Sequence, residues 1–287
     1  VLYYNHNADV SGAEMSLLTL IAALDRGRYE PAVACPPGQL VERAGEARAP
    51  VFVVPELTLG SKHGPLEMLA VMLQILRIQL TLVRLLSAWK PALLHANSTR
   101  AALVLGPLHL LWRIPMVLHV RDTVRQDWRQ RLVQKVAMRM ADRTVAISAF
   151  VARQLGPANG RIMIMHNAVD VDRFDDGRVL SGRVRLELGL AECFPVLGVF
   201  GQITPWKGQQ EAIEAFASVS EAYPSARLLI TGSAKFLRRG ARYDNAAYLA
   251  LLHERVRELR LADFVVFTGE RDDIPELMAA CDVVLVP

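Results

Sequence analysis

The fold is indicated most directly by residues 196–223, which read VLGVFGQITPWKGQQEAIEAFASVSEAY. The apolar run Val196–Phe200 predicts a buried strand, and residues 209–223 have the apolar spacing of an amphipathic helix. Between them lies a loop of the pattern Gly-x5-Lys-Gly, from Gly201 to Gly208. A strand, a glycine loop and a helix in this order form the unit from which parallel α/β sheets are built.

The same alternation extends in both directions along the chain. Upstream, strands are predicted at 1–5, 31–35, 51–54, 92–96, 116–120, 143–147 and 161–165, with helices at 13–24, 66–89 and 128–140 and another after Asn97. Downstream, strands are predicted at 227–231, 264–268 and 282–287, with helices at 246–260 and 274–281. The sequence therefore predicts an α/β fold of two βα domains, 1–178 and 179–287, with a linker that contains a short helix at 181–195. We expect the second domain to be incomplete, since it has four predicted strands where a doubly wound unit has about six.

Composition narrows the class of protein. Hydrophobic residues make up 52% of the 287 residues and charged residues 22%, which is typical of a globular chain. The net charge of +4 suits an anionic substrate or an acidic lipid surface. The sequence has no stripe of basic residues interleaved with aromatic ones, which argues against binding of nucleic acid. The three cysteines are far apart in the sequence, so we expect reduced thiols and a cytoplasmic protein.

The loop from Gly201 to Gly208 is the strongest candidate site. Glycine opens the backbone at the strand end, the following helix offers its positive N-terminal end, and Lys207 adds a full charge. Together these features predict a diphosphate site. The alternative is that Lys207 is an ordinary solvated loop lysine.

Two further positions follow predicted strands. Gly12, in the turn after the first strand, either lets a phosphate or sugar hydroxyl approach the backbone or simply takes a positive φ in a tight turn. His119, followed by Asp122, lies at a strand end, where α/β sheets bind ligands. It is therefore either a group that hydrogen-bonds substrate or a core histidine bonded to a backbone carbonyl. No GxGxxG pattern follows a strand, which argues against a nicotinamide-dependent dehydrogenase.

The apolar segment 66–89 also has two interpretations. Glu67, Gln74, Arg77, Gln79 and Arg84 interrupt it, so it is not predicted to span a bilayer. It is either a core helix with arginines reaching water or a surface resting on an anionic membrane. The second interpretation gains support from the basic residues that follow, Arg121, Arg125, Arg129, Arg131, Lys135 and Arg139.

Taken in order, several short motifs resemble glycosyltransferase family 4, the retaining glycosyltransferases with the GT-B fold. The resemblance covers nearly the whole chain and is carried by Ser11–Glu14, His119, Val145–Ser148, Asn167–Asp170 with Phe174, Gly201–Gly208, Leu229–Gly232, Phe267–Gly269 and Ala280–Pro287.

This resemblance implies two Rossmann-like domains facing a cleft, with the acceptor, a glycan or a lipid-linked molecule, mostly on the first and a nucleotide-diphosphate sugar on the second. It implies that Lys207 and Gln202 contact the diphosphate at Gly201, that Gly12 lies near the donor phosphates and that His119 lies near the transferred sugar. It also places Arg271 among the nucleotide-binding residues. Such enzymes need no metal and retain configuration, and a lipid-linked acceptor places the protein at the inner face of the membrane.

Three departures from the family pattern bear on these expectations. Gln202 stands where the family usually has Arg, and Ala168 where it usually has Gly. The family's pair of glutamates is expected after Pro287, where the sequence stops, so we expect this chain to bind donor weakly. A nucleotide-sugar 2-epimerase and a non-catalytic assembly subunit of the same fold remain alternatives, and Asn167–Asp170 is interpreted as a structural hinge.

Overall fold

The computed structural model describes residues 1–57, 65–121, 128–157, 160–175, 181–235 and 243–287, without the side chains of 65–68 and 129. Its contacts divide the chain into two compact units, Val1–Val169 and Asp170–Pro287. The domain boundary predicted between residues 178 and 179 lies outside the described residues. Each unit is an α/β structure.

The described residues of the first unit form one seven-stranded sheet with six helices. Its strands are β1 (Leu2–Tyr4), β2 (Ala32–Cys35), β3 (Val51–Val53), β4 (Leu94–Ala96), β5 (Met116–Val120), β6 (Arg143–Ala146) and β7 (Ile162–Ile164). Its helices are α1 (Gly12–Ala22), α2 (Gln39–Glu46), α3 (Pro65–Trp89), α4 (Thr99–Trp112), α5 (Trp128–Met140) and α6 (Ala149–Leu155). The strand order is β3-β2-β1-β4-β5-β6-β7 with every neighbouring pair parallel, which confirms the predicted parallel α/β class.

Helices cover both faces of this sheet, which explains the continuous apolar runs of its strands. Because side chains alternate along a strand, Leu2 and Tyr4 point to one face and Tyr3 to the other. Leu2 and Tyr4 join a core with residues of α3, α4 and α5, whereas Tyr3 joins a second core with residues of α1 and α2. The carboxyl ends of the strands therefore meet at one edge, between two helical layers.

Helix α3 is the longest helix in the described part of the chain. Ile78, Leu82 and Leu86 are buried in the first unit's core, so α3 is a core helix along its second half. Residues Leu69–Trp89 have a mean hydropathy of 1.7 and are, by length and composition, apolar enough to cross a membrane. Only 22% of the apolar stretch within them is buried. Because Glu67, Gln74, Arg77, Gln79 and Arg84 interrupt the segment 66–89, the sequence predicts that it does not span a bilayer.

The described residues of the second unit form a four-stranded sheet, as predicted. Its elements are α7 (Gly182–Glu187), β8 (Val196–Phe200), a 3-10 turn (Pro205–Lys207), α8 (Gln209–Ala222), β9 (Arg227–Thr231), α9 (Asn245–Glu258), β10 (Val265–Gly269), α10 (Ile274–Ala279) and β11 (Val283–Leu285). The order is β10-β9-β8-β11 and all pairs are parallel. The predicted unit at 196–223 is present with its strand and helix nearly unchanged in extent.

Three segments differ from the sequence prediction. Helices α2 and α6 were not predicted, because each is short and buries only two side chains, too few to produce a clear period. The linker assigned to 181–195 is wrong, since Val184 and Leu190 are 0% and 1% exposed and pack beneath β8 in the second unit's core. The short helix predicted within that segment is confirmed as α7.

Candidate functional site

A hydrogen-bonded set of polar side chains lies at the carboxyl edge of the first sheet. Asn5 follows β1, Asn97 follows β4, Arg121 follows β5, and Asn167 lies shortly after β7. Ser16 of α1 completes the set, which we call the strand-end network. Residues so far apart in sequence meet here because parallel strands all end at the same edge.

The network is continuous from β1 to the segment after β7. Asn97 Nδ2 donates to Asn5 Oδ1 at 2.9 Å, and Arg121 Nε donates to Asn97 Oδ1 at 2.9 Å. The same guanidinium donates to Ser16 Oγ at 2.6 Å and to Asn167 Oδ1 at 2.8 Å. Asn5 and Asn97 are each 1% exposed, so the bond between them lies in a region of low polarity, where it fixes geometry strongly. Asn167, assigned to a hinge from the sequence, is tied to the first unit.

The start of α1 is joined to this network through Glu14. Its carboxylate is 4% exposed and accepts from Asn5 Nδ2 at 3.0 Å, from Ser11 N at 3.1 Å and from Ser11 Oγ at 2.5 Å. A buried carboxylate is stabilised by such donors and by the helix N-terminus. The entry to α1 is therefore held rigidly.

Gly12 is the first residue of α1 and has no positive φ, so the tight-turn interpretation of this glycine is wrong. A Cβ built on Gly12 meets no heavy atom within 4 Å. Neither backbone conformation nor packing therefore requires glycine here. The interpretation left from the sequence is close approach of a ligand to the backbone.

His119 is buried in β5 beside a second histidine. Its side chain is 2% exposed, and among the described residues neither ring nitrogen has a hydrogen-bond partner, so the predicted alternative of a bond to a backbone carbonyl is not observed there. Its ring centroid lies 5.5 Å from that of His95 on β4. Burial, together with the positive charge of Arg121, lowers the pKa of His119 to about 3. The imidazole is therefore neutral near pH 7, while Asp122 lies outside the described residues.

In the second unit the Gly201–Gly208 loop is shaped by close backbone contacts. Gly201 has a φ of +149° and Gly232, at the end of β9, a φ of +141°. A Cβ on Gly232 would lie 1.9 Å from the carbonyl oxygen of Gly201, so the two strand ends meet only because glycine is present. Gly201 N also donates to Thr231 O at 2.9 Å.

The rest of the loop is anchored by buried residues, and its lysine is partly exposed. Ile203 and Thr204 are 0% and 1% exposed, and Gln209 Nε2 donates to the carbonyl of Gln202 at 2.9 Å. Lys207 ends the 3-10 turn, with Nζ 4.3 Å from the centre of the Trp206 ring. Gly208 then takes a φ of +69° and α8 begins at once, which places Lys207 beside a helix N-terminus.

Arg271 has a different setting from the one that the sequence suggested. Its NH1 lies 2.6 Å from Glu187 Oε1, and its NH2 lies 2.6 Å from Asp273 Oδ2. These hydrogen bonds raise the pKa of Arg271 and lower the pKa of both carboxyls. Much of the charge of Arg271 is thus balanced within the second unit, and its role toward a nucleotide stays a prediction.

The sequence analysis did not single out Asn5, Ser16, Asn97 or His95. A signal for two of them was present, since Asn5 and Asn97 each stand directly after an apolar strand. No local signal identifies Ser16, which acts from a helix, or His95, which lies inside β4.

The chain matches two family models in succession. Residues 10–173 match the model described as Glycosyltransferase Family 4, and residues 184–287 match the model described as Glycosyl transferases group 1. Together they account for both units.

Curated relatives cover part of the chain. Over 177 residues it is 30% identical to the 2-deoxystreptamine glucosyltransferase of Streptomyces kanamyceticus, covering 61% of this chain and 42% of that protein. It is 26% identical over 172 residues to the lipopolysaccharide core biosynthesis mannosyltransferase LpsB of Rhizobium meliloti, covering 60% and 46%. The chain therefore spans less than half the length of these relatives.

Among solved structures, Anabaena Alr3699/HepE in complex with UDP and glucose is similar to the whole chain. The TM-score is 0.77 at 26% identity, and the match covers 99% of this chain and 72% of that one. The structural relatives are GT-B glycosyltransferases, in agreement with the two parallel sheets described above.

Proposed function

Because the chain belongs to glycosyltransferase family 4, we propose that it transfers a sugar from a nucleotide-diphosphate donor to a glycan or lipid-linked acceptor. The observation that carries the proposal is the Gly201–Gly208 loop, whose backbone is opened by glycines and which presents Lys207 beside the N-terminus of α8. In this proposal the second unit holds the nucleotide, and the first unit holds groups that act on the sugar and the acceptor.

The donor diphosphate is assigned to the loop on electrostatic grounds. The ammonium of Lys207 and the positive end of α8 both attract an anion, and the absence of a side chain at Gly201 allows close approach. Gln202, where the family usually has Arg, supplies amide hydrogen bonds in place of a full charge. Alr3699/HepE, to which 99% of this chain is similar, has been crystallised with UDP-glucose, which supports this class of donor.

The transferred sugar is assigned to the first unit's carboxyl edge. His119 is neutral there and can donate or accept one hydrogen bond to a sugar hydroxyl, while the strand-end network fixes the neighbouring Arg121. Gly12 leaves room for donor phosphate to approach the start of α1.

The reaction is proposed to need no metal and to retain configuration. Lys207 and the α8 N-terminus stabilise the negative charge that develops on the departing nucleoside diphosphate. The leaving phosphate then accepts the proton of the attacking acceptor hydroxyl on the same face of the sugar, so the new bond forms on the side from which the old one departs.

The test is calorimetry with UDP in the presence of EDTA and then of Mg²⁺. We expect binding without metal, and we expect Lys207→Ala to weaken it by about 1.5–3 kcal/mol, the usual cost of losing one charge-assisted contact. Lys90→Ala, which removes an exposed lysine of the first unit, is the matched control and should bind UDP as before. Equal affinity in the Lys207→Ala chain, or binding that needs Mg²⁺, would show that the donor site is assigned wrongly.

A further inference from the structure

The first part of α3 is apolar and uncovered. Of the described side chains before Ile78, none is buried, and four large apolar ones are well exposed: Leu69 at 53%, Met72 at 64%, Leu73 at 49% and Leu76 at 51%. Single exposed leucines are ordinary on protein surfaces, but a contiguous group on one helix marks an interaction surface.

This group projects past the neighbouring helix. Gln79 Nε2 of α3 donates to the carbonyl of Val104 in α4 at 3.1 Å, and α4 begins five residues earlier, at Thr99. Both helices run back from the carboxyl edge of the same parallel sheet, so they are parallel to each other. At about 1.5 Å per residue, Leu69 lies roughly 8 Å beyond the start of α4.

Exposed apolar and basic side chains continue the surface on α5, which packs on the other side of α4. Trp128 and Leu132, in its first two turns, are 67% and 54% exposed, and Arg131 and Lys135 beside them are exposed as well. As in α3, these turns are at the carboxyl edge of the sheet. We call the exposed residues of α3 and α5 together the α3–α5 surface.

The charged residues of these helices are mostly basic. The sequences of α3, α4 and α5 contain seven basic residues and one acidic residue, Glu67; the basic ones are Arg77, Arg84, Arg100, Arg129, Arg131, Lys135 and Arg139. The occupant of the α3–α5 surface must therefore offer negative charge together with an apolar interior.

We propose that the α3–α5 surface binds an anionic lipid leaflet, with the first turns of α3 inserted at the level of the acyl chains. The projection of roughly 8 Å equals the depth to which interfacial helices insert, about 5–10 Å. The basic residues of α5 lie within reach of the lipid phosphates, which attract Lys and Arg at the surface. The second half of α3 stays packed in the core of the first unit, so only the first turns enter the leaflet and the helix does not cross it.

A second copy of this chain is a poorer occupant. Two identical subunits in a symmetric dimer present the same patch to each other, which would bring the basic residues of α5 against their own counterparts. Like charges in contact oppose such an interface, whereas an anionic leaflet satisfies them.

The binding stands on the α3–α5 surface alone and does not depend on the donor site. The strand-end network lies at the same edge of the sheet as the projecting turns of α3, so a leaflet bound there would lie on the side of the first unit where an acceptor is proposed to react.

The experiment is co-sedimentation of the full chain with vesicles of phosphatidylcholine alone or mixed with phosphatidylglycerol. We expect binding to the mixed vesicles, weakened by salt because the charge attraction is screened. The variant Met72→Glu/Leu73→Glu should lower the partition coefficient at least about tenfold, and Lys135→Ala about fivefold. The matched controls are Leu186→Glu, at a side chain 73% exposed on α7, and Arg153→Ala, at an exposed arginine on α6; both should bind as the unchanged chain does.

Two further measurements distinguish membrane binding from a failure of the donor site and from dimerisation. Lys207→Ala should bind vesicles normally, so a failed donor site leaves this inference intact. Sedimentation velocity without lipid should show a monomer. Vesicle binding that is absent, insensitive to phosphatidylglycerol or unchanged in Met72→Glu/Leu73→Glu would overturn the proposal. So would a dimer that this variant dissociates, which would assign the surface to a second copy.

Discussion

The strand-end network of the first unit is held in place by side chains, whereas the Gly201–Gly208 loop of the second unit is held by its backbone. In the first, side chains bond to side chains: Asn97 to Asn5, and Arg121 to Asn97. In the second, the backbone sets the shape. Gly201 and Gly232 both have positive φ, and the carbonyl oxygen of Gly201 lies so close to Gly232 that a Cβ on Gly232 would overlap it. In the first region Asn5 and Asn97 are buried, while in the second Lys207 lies partly exposed on a turn.

The difference shows how each region responds to change. A network of buried polar groups depends on the presence of each member, because an unpaired polar group is costly in a medium of low polarity. A glycine loop depends on the size of the side chain at a few positions, because the backbone takes conformations that other residues avoid. The first unit also buries histidines with lowered pKa values, so it should be sensitive to pH, whereas the glycine loop of the second unit should be sensitive to steric substitution.

The largest expected effect is acid sensitivity of the first unit. Burial lowers the pKa of His6 to about 4 and that of His95 and His119 to about 3, against 6.5 when unfolded. Below pH 6.5 each of these histidines is protonated in the unfolded chain but stays neutral in the folded unit. The free energy of unfolding therefore falls by at most about 1.4 kcal/mol per pH unit for each histidine, until the pKa of the folded state is reached. Hydrogen exchange at pH 7 and pH 5 should show loss of protection in β4 and β5 before β8 and β9.

The second unit should lose stability only at a lower pH than the first unit does. The pKa values of Glu187 and Asp273 are lowered by hydrogen bonds from Arg271, so these carboxylates stabilise the folded unit above the unfolded pKa of a carboxyl, and this stabilisation is lost as the pH falls below it.

In the first unit, His95→Gln should make the dependence of stability on pH less steep by the contribution of one histidine. An unchanged slope, or simultaneous loss of protection in both units at pH 5, would contradict the assignment.

Next in size is the effect of His119→Ala on turnover. If His119 bonds to the transferring sugar, its loss should lower kcat by about 10²–10³, as for other groups that act in the transition state, with UDP affinity unchanged. His253→Ala on α9 is the control. A chain that keeps its kcat but loses thermal stability would show that His119 is a structural core histidine.

Gly232→Ala tests the backbone nature of the second region. The new Cβ would overlap the carbonyl oxygen of Gly201 and the residue would have to keep a φ of +141°, so we expect a loss of about 3 kcal/mol in the free energy of unfolding. Gly269→Ala is a control for positive φ without a clash, since its φ is +71° and its Cβ would meet nothing within 4 Å. Urea unfolding of both variants measures the difference; equal losses would mean that the close approach of the two strand ends contributes little.

Gly12→Ala should have the smallest effect on stability. The position has an ordinary φ and open space, so the free energy of unfolding should change by less than about 0.5 kcal/mol or rise slightly. Weaker UDP-sugar binding in this stable variant would support ligand approach at Gly12. Unchanged binding would leave that glycine without a role toward the donor.

Prediction of the fold succeeded where the period of apolar residues is long or the apolar run is continuous. Strands β5, β8 and β9 have the predicted bounds, and α5 also has them. Prediction failed for α2 and α6 because a helix of seven or eight residues that buries two side chains does not produce a recognisable period. The segment 181–195 was misassigned because its polar composition hides two buried residues, Val184 and Leu190.

What the sequence by itself determined is the parallel α/β class, the four strands of the second sheet and the glycine loop with Lys207, because these depend on local patterns of polarity and on glycines that set the backbone. What only the tertiary structure decided is the partner of each polar side chain. Asn5, Asn97 and Arg121 meet because β1, β4 and β5 are neighbours in the sheet, and Arg271 is held by Glu187 and Asp273 because α7 and the start of α10 converge. Such pairings join residues up to about a hundred positions apart, a distance over which no local pattern carries information.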